Sequence, residues 1–382
     1  MRKENKQYIP VGKPQINNKD LEDLVRAYKS GFWVNGPYVK KLTERFKKYV
    51  NCKYAVPTSS GTAALHQSLD ILDLKSGDEI ITTTFTFPAT GNVIEHIGAR
   101  PVFVDIEKDT YNIDPDLIGK AVTAKTRAIM PVHIAGHPCD MEKIIGLAGK
   151  YGLFIIEDAA HAIESFSEGQ RTGKTGDLVC FSFDVTKNVA GGLGGMIAAK
   201  NKKIEDSLRI RSHFGIIPSD FSEPSDTVYP GYKNDMCEFC AAIAVNQLDR
   251  VEENLNIREK YWKIYDSYLD GVKEITIPAV RPGSRHSRHL YLILLNLRHL
   301  ACSRKTFMES LRSKNVGSRI RFSCLHLNRF YREKYDYSAG DMPVAEDISS
   351  RVISIPFSPA LTVEEIEYIA VSVLKTVKEY RK

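Results

Sequence analysis

The chain has 382 residues, 43% of them hydrophobic and 26% charged, an ordinary composition for a folded globular protein of two or three domains. Its formal net charge of +6 is spread along the sequence, which excludes the concentrated basic stripe of a nucleic-acid-binding surface. No apolar run approaches the roughly 20 residues that span a bilayer, and the first residues lack the pattern of a secretory signal. We therefore expect a cytoplasmic protein with no nucleic-acid or membrane partner, whose seven cysteines stay free thiols.

Between residues 50 and 200, short β-rich runs alternate with segments of helical periodicity. The predicted strands are KYAVPT, EIITTTF, ARPVFVDI, RAIMPVHI, GLFIIEDAA, DLVCFSF and GGMIAAK. This alternation predicts an α/β fold with a mostly parallel sheet of seven strands, covered by helices on both faces. Near residue 250 the pattern changes to a long charged helix, followed by an α+β tail with HLYLILLNL and RVISIPF as strands. We predict a large domain over residues 1–248 and a smaller α+β domain over residues 249–382.

Several residues that carry chemistry follow predicted strands, where ligands of α/β proteins usually bind. Lys187 comes just after the run DLVCFSF, and its amine could form a Schiff base with a carbonyl compound. Gly61 and Thr62 open a helix after KYAVPT, and the free N–H groups there would suit an anion such as phosphate. Taken alone, an ordinary helix cap is the better explanation of Gly61 and Thr62, and a solvent-exposed loop lysine is the alternative for Lys187.

Two more residues complete a recognisable set. Asp158 ends the run FIIED and could hold a protonated ring nitrogen, although it could also be a helix cap. Phe87 follows EIITTTF and could stack on a flat ring, or it could be a core residue. Together with the lysine and the anion site, they supply what pyridoxal 5′-phosphate (PLP) requires of a protein. The sequence has no GxGxxG after a strand and no Walker A motif, which disfavours a nucleotide-cofactor fold.

A series of motifs in fixed order carries a resemblance to a known family. The motifs are FWVNGPYVKKLTERF, SSGTAALH, TTTFTFPATGNVIEHIGARPVFVDI, PVHIAGHPCDM, IIEDAAHAIES, FSFDVTKN, GYKNDMCEFCAAIAVNQLDRVE, RHLYLI, LHLNRFY and MPVAEDISSRVISIPFSPALTVEEI. In these motifs the chain resembles the DegT/DnrJ/EryC1/StrS sugar aminotransferases along nearly its whole length. The resemblance implies the PLP-dependent transferase fold type I, related to aspartate aminotransferase, and a homodimer with shared active sites.

The resemblance also implies a role for each matching residue. Lys187 would hold PLP as a covalent Schiff base and move the proton during transamination, and Asp158 would pair with the pyridine nitrogen. His161 would lie near the ring hydroxyl, and Phe87 would stack on the ring. The phosphate would be held by Gly61, Thr62, Ser182 and, from the other subunit, Lys233.

The sequence departs from the family pattern at the substrate side. Leu193 stands where an acid is usual, and Asp184 replaces a histidine or aromatic residue just before the lysine. Arg321 replaces a histidine and would suit the phosphate of a sugar nucleotide. His326 occupies a substrate-side position, although a structural role is equally compatible with the sequence.

The remaining histidines and cysteines give no metal site. A proline and a glycine next to His133 and His137 disfavour a helical metal pair. Cys237 and Cys240 form one CxxC with no second pair, so we interpret them as helix-face cysteines rather than zinc ligands.

From these residues and the resemblance we expect a PLP-dependent aminotransferase that moves an amino group from glutamate to a keto sugar nucleotide. The branch with the closest motifs acts on 4-keto-6-deoxy sugars. Relatives with histidine in place of the lysine act as dehydratases, so Lys187 favours transamination. Two alternatives stay open: a cyclitol or aminohydroxybenzoate precursor as substrate, or a non-catalytic regulatory protein, for which Leu193 and Asp184 would be signs of lost activity.

Overall fold

The computed structural model describes residues 7–217 and 224–382. The α-helices of this part of the chain are α1 (Asn18–Lys29), α2 (Pro37–Val50), α3 (Gly61–Asp70), α4 (Pro88–His96), α5 (Pro115–Ala121), α6 (Met141–Tyr151), α7 (Lys202–Ser212), α8 (Glu238–Asp249), α9 (Val251–Leu269), α10 (Arg304–Ser313), α11 (Arg329–Tyr335), α12 (Pro343–Arg351) and α13 (Val363–Tyr380). The strands are β1 (Tyr54–Thr58), β2 (Glu79–Thr83), β3 (Arg100–Val104), β4 (Thr126–Met130), β5 (Phe154–Asp158), β6 (Phe166–Ser167), β7 (Gln170–Arg171), β8 (Leu178–Ser182), β9 (Gly195–Ala199), β10 (Ile216–Ile217), β11 (Asp226–Thr227), β12 (Ile275–Thr276), β13 (Tyr291–Leu295) and β14 (Val352–Ile355). Single 3₁₀ turns lie at Ile134–Gly136 and Leu325–Leu327.

The large sheet has seven strands in the order β1–β9–β8–β5–β4–β2–β3. The strands from β8 to β3 in this order run parallel to one another, whereas β9 runs antiparallel to both of its neighbours. All residues of β2 and β9 are buried, as expected for strands covered on both faces. The predicted mostly parallel sheet of seven strands is therefore confirmed.

The carboxyl ends of β1, β5 and β8 lie at one edge of this sheet, because β9 is antiparallel to both β1 and β8. Thr58, Asp158 and Ser182 are the last residues of these three strands. The segments that follow them meet at this edge, which is the usual place for a ligand site in an α/β fold.

A second, antiparallel sheet has the order β12–β13–β14. Its strands share a core with α9, α10 and α13, in which Tyr265, Phe307 and Val373 are buried. Helix α9 joins the two parts of the molecule: Val251 at its start packs in a core of the large sheet, whereas Trp262 packs in the core of the small sheet. The smaller α+β region is as expected, and its division from the large domain between residues 248 and 249 stays a prediction.

No helix in residues 7–217 and 224–382 is long and apolar enough to cross a membrane.

Candidate active site

A cavity of about 390 Å³ lies at the carboxyl edge of the large sheet. It brings together these residues predicted from the sequence: Gly61, Thr62, Phe87, Asp158, His161, Ser182, Lys187 and Arg321. We call the residues after β1, β5 and β8, namely Ser60, Gly61, Thr62, Asp158, His161, Ser182 and Lys187, the strand-end wall. The cavity is also lined by Arg319, Arg321 and Phe322, which we call the arginine wall.

Lys187 lies in the loop after β8, whose backbone turns through a hydrogen bond from Lys187 N–H to the Asp184 carbonyl at 2.9 Å. Burial lowers the pKa of Lys187 to about 8, and the charge of Arg321 acts in the same direction. The carboxylates of Asp158 and Asp184 act in the opposite direction and raise this pKa. Burial outweighs both carboxylates, so about a tenth of Lys187 is a neutral, nucleophilic amine at pH 7, far more than for an ordinary lysine with a pKa of about 10.4.

The N-terminus of α3 offers an anion site. The Ser60 side chain caps the helix by accepting the Ala63 N–H at 3.0 Å. A Cβ added to Gly61 would lie 2.7 Å from the Ser182 Cβ, so only glycine lets the helix start approach the end of β8 this closely. The N–H groups at the start of a helix attract phosphate, and the Ser182 hydroxyl lies beside them.

Asp158 is buried and held in place by its neighbours. Its Oδ2 accepts a hydrogen bond from the Thr90 hydroxyl at 2.8 Å, and its Oδ1 accepts the Ala160 N–H at 3.2 Å. The Thr90 hydroxyl also lies 3.1 Å from that of Thr86. Thr90 is a positioning residue that sequence reasoning missed; the hydroxyl-rich run TTTFTFPAT was the available signal.

His161 is a neutral imidazole with an open hydrogen-bonding position. Burial holds its pKa well below the usual value, and the nearby Lys187 adds to this effect. Its ring stacks on His289 at a centroid distance of 4.3 Å and on Phe322 at 5.8 Å. Its Nδ1 is buried without a hydrogen-bond partner among the described residues. A buried polar atom of this kind is costly unless a ligand completes its hydrogen bond.

The residue next to Lys187 anchors the loop. Asn188 Oδ1 lies 2.9 Å from the Nδ1 of His289, and its amide donates to Glu164 Oε2 at 2.9 Å. Arg258 forms a buried ion pair with the same glutamate. His289 therefore has a positioning role, because its ring stacks on His161 and contacts Asn188 in the lysine loop.

Phe87 immediately precedes α4 and is 59% exposed, which excludes the alternative of a core residue. It lines the cavity and offers an apolar face to a flat ligand.

The arginine wall carries positive charge, and its guanidinium groups form few contacts with other described side chains. Burial lowers the pKa of Arg321, whose guanidinium makes no hydrogen bond or ion pair with another described side chain. Arg319 lines the same side of the cavity, and sequence reasoning missed it. Among the described residues, neither guanidinium forms an ion pair, although the charge of Asp184, which also lines the cavity, acts on Arg321. Two adjacent guanidinium groups of this kind favour an anionic ligand.

Two predicted site residues, His326 on the substrate side and Lys233 as a phosphate ligand from the other subunit, do not line this cavity. The structure does not bring His326 to the cavity: it is fully buried, with Nδ1 at 2.6 Å from the Thr84 hydroxyl and Nε2 at 3.1 Å from Glu346 Oε1. Both ring nitrogens are occupied, which supports the structural alternative. Lys233 also lies outside the cavity, on the surface, where it pairs with Asp235.

The two histidines considered as a metal pair, His133 and His137, both have protein partners. His133 Nε2 lies 2.8 Å from Glu157 Oε2, and His137 accepts the Arg281 N–H at 2.9 Å. Among the described residues, no group of three or more histidine, cysteine, aspartate or glutamate side chains could hold a metal ion.

This fold is the PLP-dependent transferase fold type I, and the sequence profile of the DegT/DnrJ/EryC1/StrS aminotransferase family matches residues 14–374. The chain belongs to the DegT/DnrJ/EryC1/StrS aminotransferase family. It is 39% identical over 381 residues to the uncharacterised protein MJ1066 of Methanocaldococcus jannaschii, covering 98% of this chain and 99% of that protein.

Solved structures show the same relationship. A proposed sugar aminotransferase of Streptococcus pneumoniae, Spr1654, is similar in its PLP-form, with a TM-score of 0.92 and 29% identity over 97% of this chain and 99% of that chain. DesI, crystallised in the presence of its TDP-sugar product, is similar with a TM-score of 0.89 and 28% identity over 98% of this chain and 95% of that chain.

Proposed function

We propose that this protein is a PLP-dependent aminotransferase that moves an amino group from glutamate to a keto sugar nucleotide of the 4-keto-6-deoxy type. The observation that carries the proposal is the convergence of Lys187, Asp158 and the N-terminus of α3 on one cavity. Family membership and the similarity to Spr1654 in its PLP-form support the cofactor.

The residues of the strand-end wall fit PLP. The start of α3 and the Ser182 hydroxyl would bind the phosphate, and the close approach at Gly61 leaves room for no larger residue there. The buried Asp158 carboxylate would pair with a protonated ring nitrogen, and the unpartnered Nδ1 of His161 would meet the polar edge of the ring. Phe87 would cover one ring face.

When bound, PLP supplies an aldehyde carbon that takes up the amino group and a ring that withdraws electrons from the reacting carbon. Lys187 would supply the amine that binds this aldehyde covalently, and its pKa of about 8 suits a group that both accepts and releases a proton. The negative charge of Asp158 would keep the ring nitrogen protonated, and the hydrogen bonds from Thr90 and the Ala160 N–H fix the orientation of this carboxylate.

The arginine wall supports a sugar nucleotide as the acceptor. Arg319 and Arg321 provide positive charge beside the amine of Lys187, as a diphosphate-linked substrate requires. The similarity to DesI, crystallised with a TDP-sugar product, favours the same class of acceptor. Leu193 also lines the cavity and is exposed, and where relatives carry an acid it would offer an apolar surface for a substrate group such as a 6-deoxy methyl.

The proposed assembly is a homodimer with shared active sites in the cytoplasm. Tyr28 and Trp33 are both more than half exposed, and their rings stack at 6.0 Å, beside Phe239. An exposed aromatic cluster of this kind marks a protein interface. Lys233, which lies outside the cavity of its own chain, would reach the phosphate of the partner.

Analytical ultracentrifugation of the wild type and of Trp33→Asp would test the proposed dimer, and a wild-type monomer at micromolar concentration would contradict it.

The test of the function is the absorption spectrum of the protein with PLP, before and after glutamate is added, followed by acceptor turnover. We expect a cofactor band that shifts with glutamate and is restored by a 4-keto-6-deoxy sugar nucleotide. Restoration by an inosose or an aminohydroxybenzoate precursor instead would establish the alternative substrate. A spectrum unchanged by any amino donor would support the non-catalytic alternative.

A further inference from the structure

Asn188 lies at the centre of a hydrogen-bond network beside the lysine loop. Its amide nitrogen donates to Glu164 Oε2 at 2.9 Å and to the Ser287 carbonyl at 3.1 Å. Arg258 forms an ion pair with Glu164, and these two residues are at most 2% exposed. A carboxylate in an ion pair and a backbone carbonyl can only accept hydrogen bonds. The amide of Asn188 therefore has one allowed orientation, with its nitrogen towards Glu164 and Ser287.

The orientation of this amide determines which ring nitrogen of His289 carries a proton. The Oδ1 of Asn188 lies 2.9 Å from the Nδ1 of His289. An amide oxygen can only accept, so this hydrogen bond requires a proton on Nδ1. Burial holds the pKa of His289 well below the usual value, and the nearby Lys187 and Arg321 add to this effect. The ring is therefore neutral, with its proton on Nδ1 and none on Nε2.

The ring of His289 supports His161. The His289 N–H donates to the Ala135 carbonyl at 3.0 Å, and the Ser287 N–H donates to the Gly136 carbonyl at 2.9 Å, so this segment is fixed along its backbone. The two imidazole planes are 21° apart, with their centroids at 4.3 Å. His161 lines the cavity, and its Nδ1 has no partner among the described residues. It therefore stacks on a ring whose position and protonation are both fixed.

We propose that Glu164 and Asn188 are positioning residues for His161, because they fix the Nδ1–H tautomer of the His289 ring on which His161 stacks. The tautomer determines the direction of the His289 ring dipole, and hence the electrostatic environment of the unpartnered Nδ1 of His161. The consequence for PLP rests on the proposed function, in which this Nδ1 meets the polar edge of the cofactor ring. The tautomer itself does not depend on that function.

The alternative is that the network only stabilises the fold, and Glu164→Gln distinguishes the two roles. The carboxamide oxygen of the new side chain would accept from Arg258, so its nitrogen would face the amide nitrogen of Asn188. Two donors cannot form a hydrogen bond with each other. The amide of Asn188 is then driven to turn and present its nitrogen to the Nδ1 of His289, which favours the Nε2–H tautomer. A purely structural role predicts lower stability without a change of tautomer.

The test labels the histidines of the full-length protein with ¹⁵N and records their ring nitrogens by NMR, before and after PLP is added. Protonated and unprotonated ring nitrogens give separate signals, and His289→Gln identifies the signals of His289 by their loss. We expect only the Nδ1–H tautomer in the wild type, and a substantial Nε2–H population in Glu164→Gln and Asn188→Leu. Glu205→Gln is the matched control, because Glu205 is also buried and pairs with Arg209, and it should match the wild type.

An Nε2–H tautomer or a doubly protonated ring in the wild type would overturn the proposal, as would wild-type signals in both variants. If Glu164→Gln does not fold, Asn188→Leu decides the question alone. We also expect the dissociation constant of PLP to rise about fivefold in the folded variant, the equivalent of one ordinary hydrogen bond. An unchanged dissociation constant despite a changed tautomer would overturn the action through His161. A protein that binds no PLP at all would contradict the proposed function, and the NMR signals would still establish the tautomer.

Discussion

The two walls of the cavity are built in different ways. On the strand-end wall, each functional group is held by a neighbour: Ser60 caps α3, Thr90 orients Asp158, and Asn188 anchors the lysine loop. On the arginine wall, the guanidinium of Arg321 has no side-chain partner among the described residues. A wall fixed in advance suits a group that is present in every reaction cycle, whereas long unpaired side chains suit an anion that enters and leaves.

The largest loss of activity is expected from a substitution in the strand-end wall. Replacing Lys187 with alanine removes both the amine that binds the aldehyde and the group that carries the proton, so we expect the rate to fall at least about 10²–10⁴-fold. The measurement is single-turnover conversion of PLP-loaded protein by glutamate. Lys200→Ala is the control, because Lys200 is exposed and pairs with Asp177 away from the cavity. Wild-type rates in Lys187→Ala would show that this wall does not carry the chemistry.

A smaller effect is expected on the arginine wall. Arg321→Ala removes one charge-assisted contact to an anionic acceptor, so we expect the KM of the sugar nucleotide to rise about tenfold with little change in kcat. The control is Arg329→Ala, since the Arg329 side chain is 85% exposed and pairs only with Glu333 among the described residues. If instead only the glutamate half-reaction slows, Arg321 binds the amino donor and the assignment of this wall must change.

The contrast between the two walls also explains which features could be predicted from the sequence. The strands and the residues at their ends were predictable, because parallel strands of an α/β sheet bring their carboxyl ends to one edge. Arg319 and Thr90 were missed, because their importance depends on how a loop near residue 320 and a helix start near residue 88 pack against that edge. His326 was matched by its motif, but its burial between Thr84 and Glu346 is a tertiary fact that no local pattern reports.

The electrostatic environment of Lys187 can be tested through the pH dependence of cofactor incorporation. Cofactor incorporation requires the neutral amine of Lys187, so its rate should rise about tenfold per pH unit below about 8 and level off above that value. Asp184 raises the pKa of Lys187, so Asp184→Asn should move the midpoint to lower pH, by about half a unit. Asp177→Asn, at a carboxylate that pairs with Lys200, is the control. A midpoint that moves to higher pH would contradict this electrostatic account.

The smallest effect on turnover is expected at His326. Its ring nitrogens contact Thr84 and Glu346, and the side chain has no access to the cavity. His326→Ala removes a buried ring and the hydrogen bond between its Nδ1 and the buried Thr84 hydroxyl. We therefore expect the free energy of unfolding to fall by about 1–3 kcal/mol while the KM of the acceptor stays within about twofold. Chemical denaturation and steady-state kinetics measure the two quantities, and the exposed His299→Ala is the control. A large rise in KM with unchanged stability would contradict this structural role and would show that His326 contacts the acceptor.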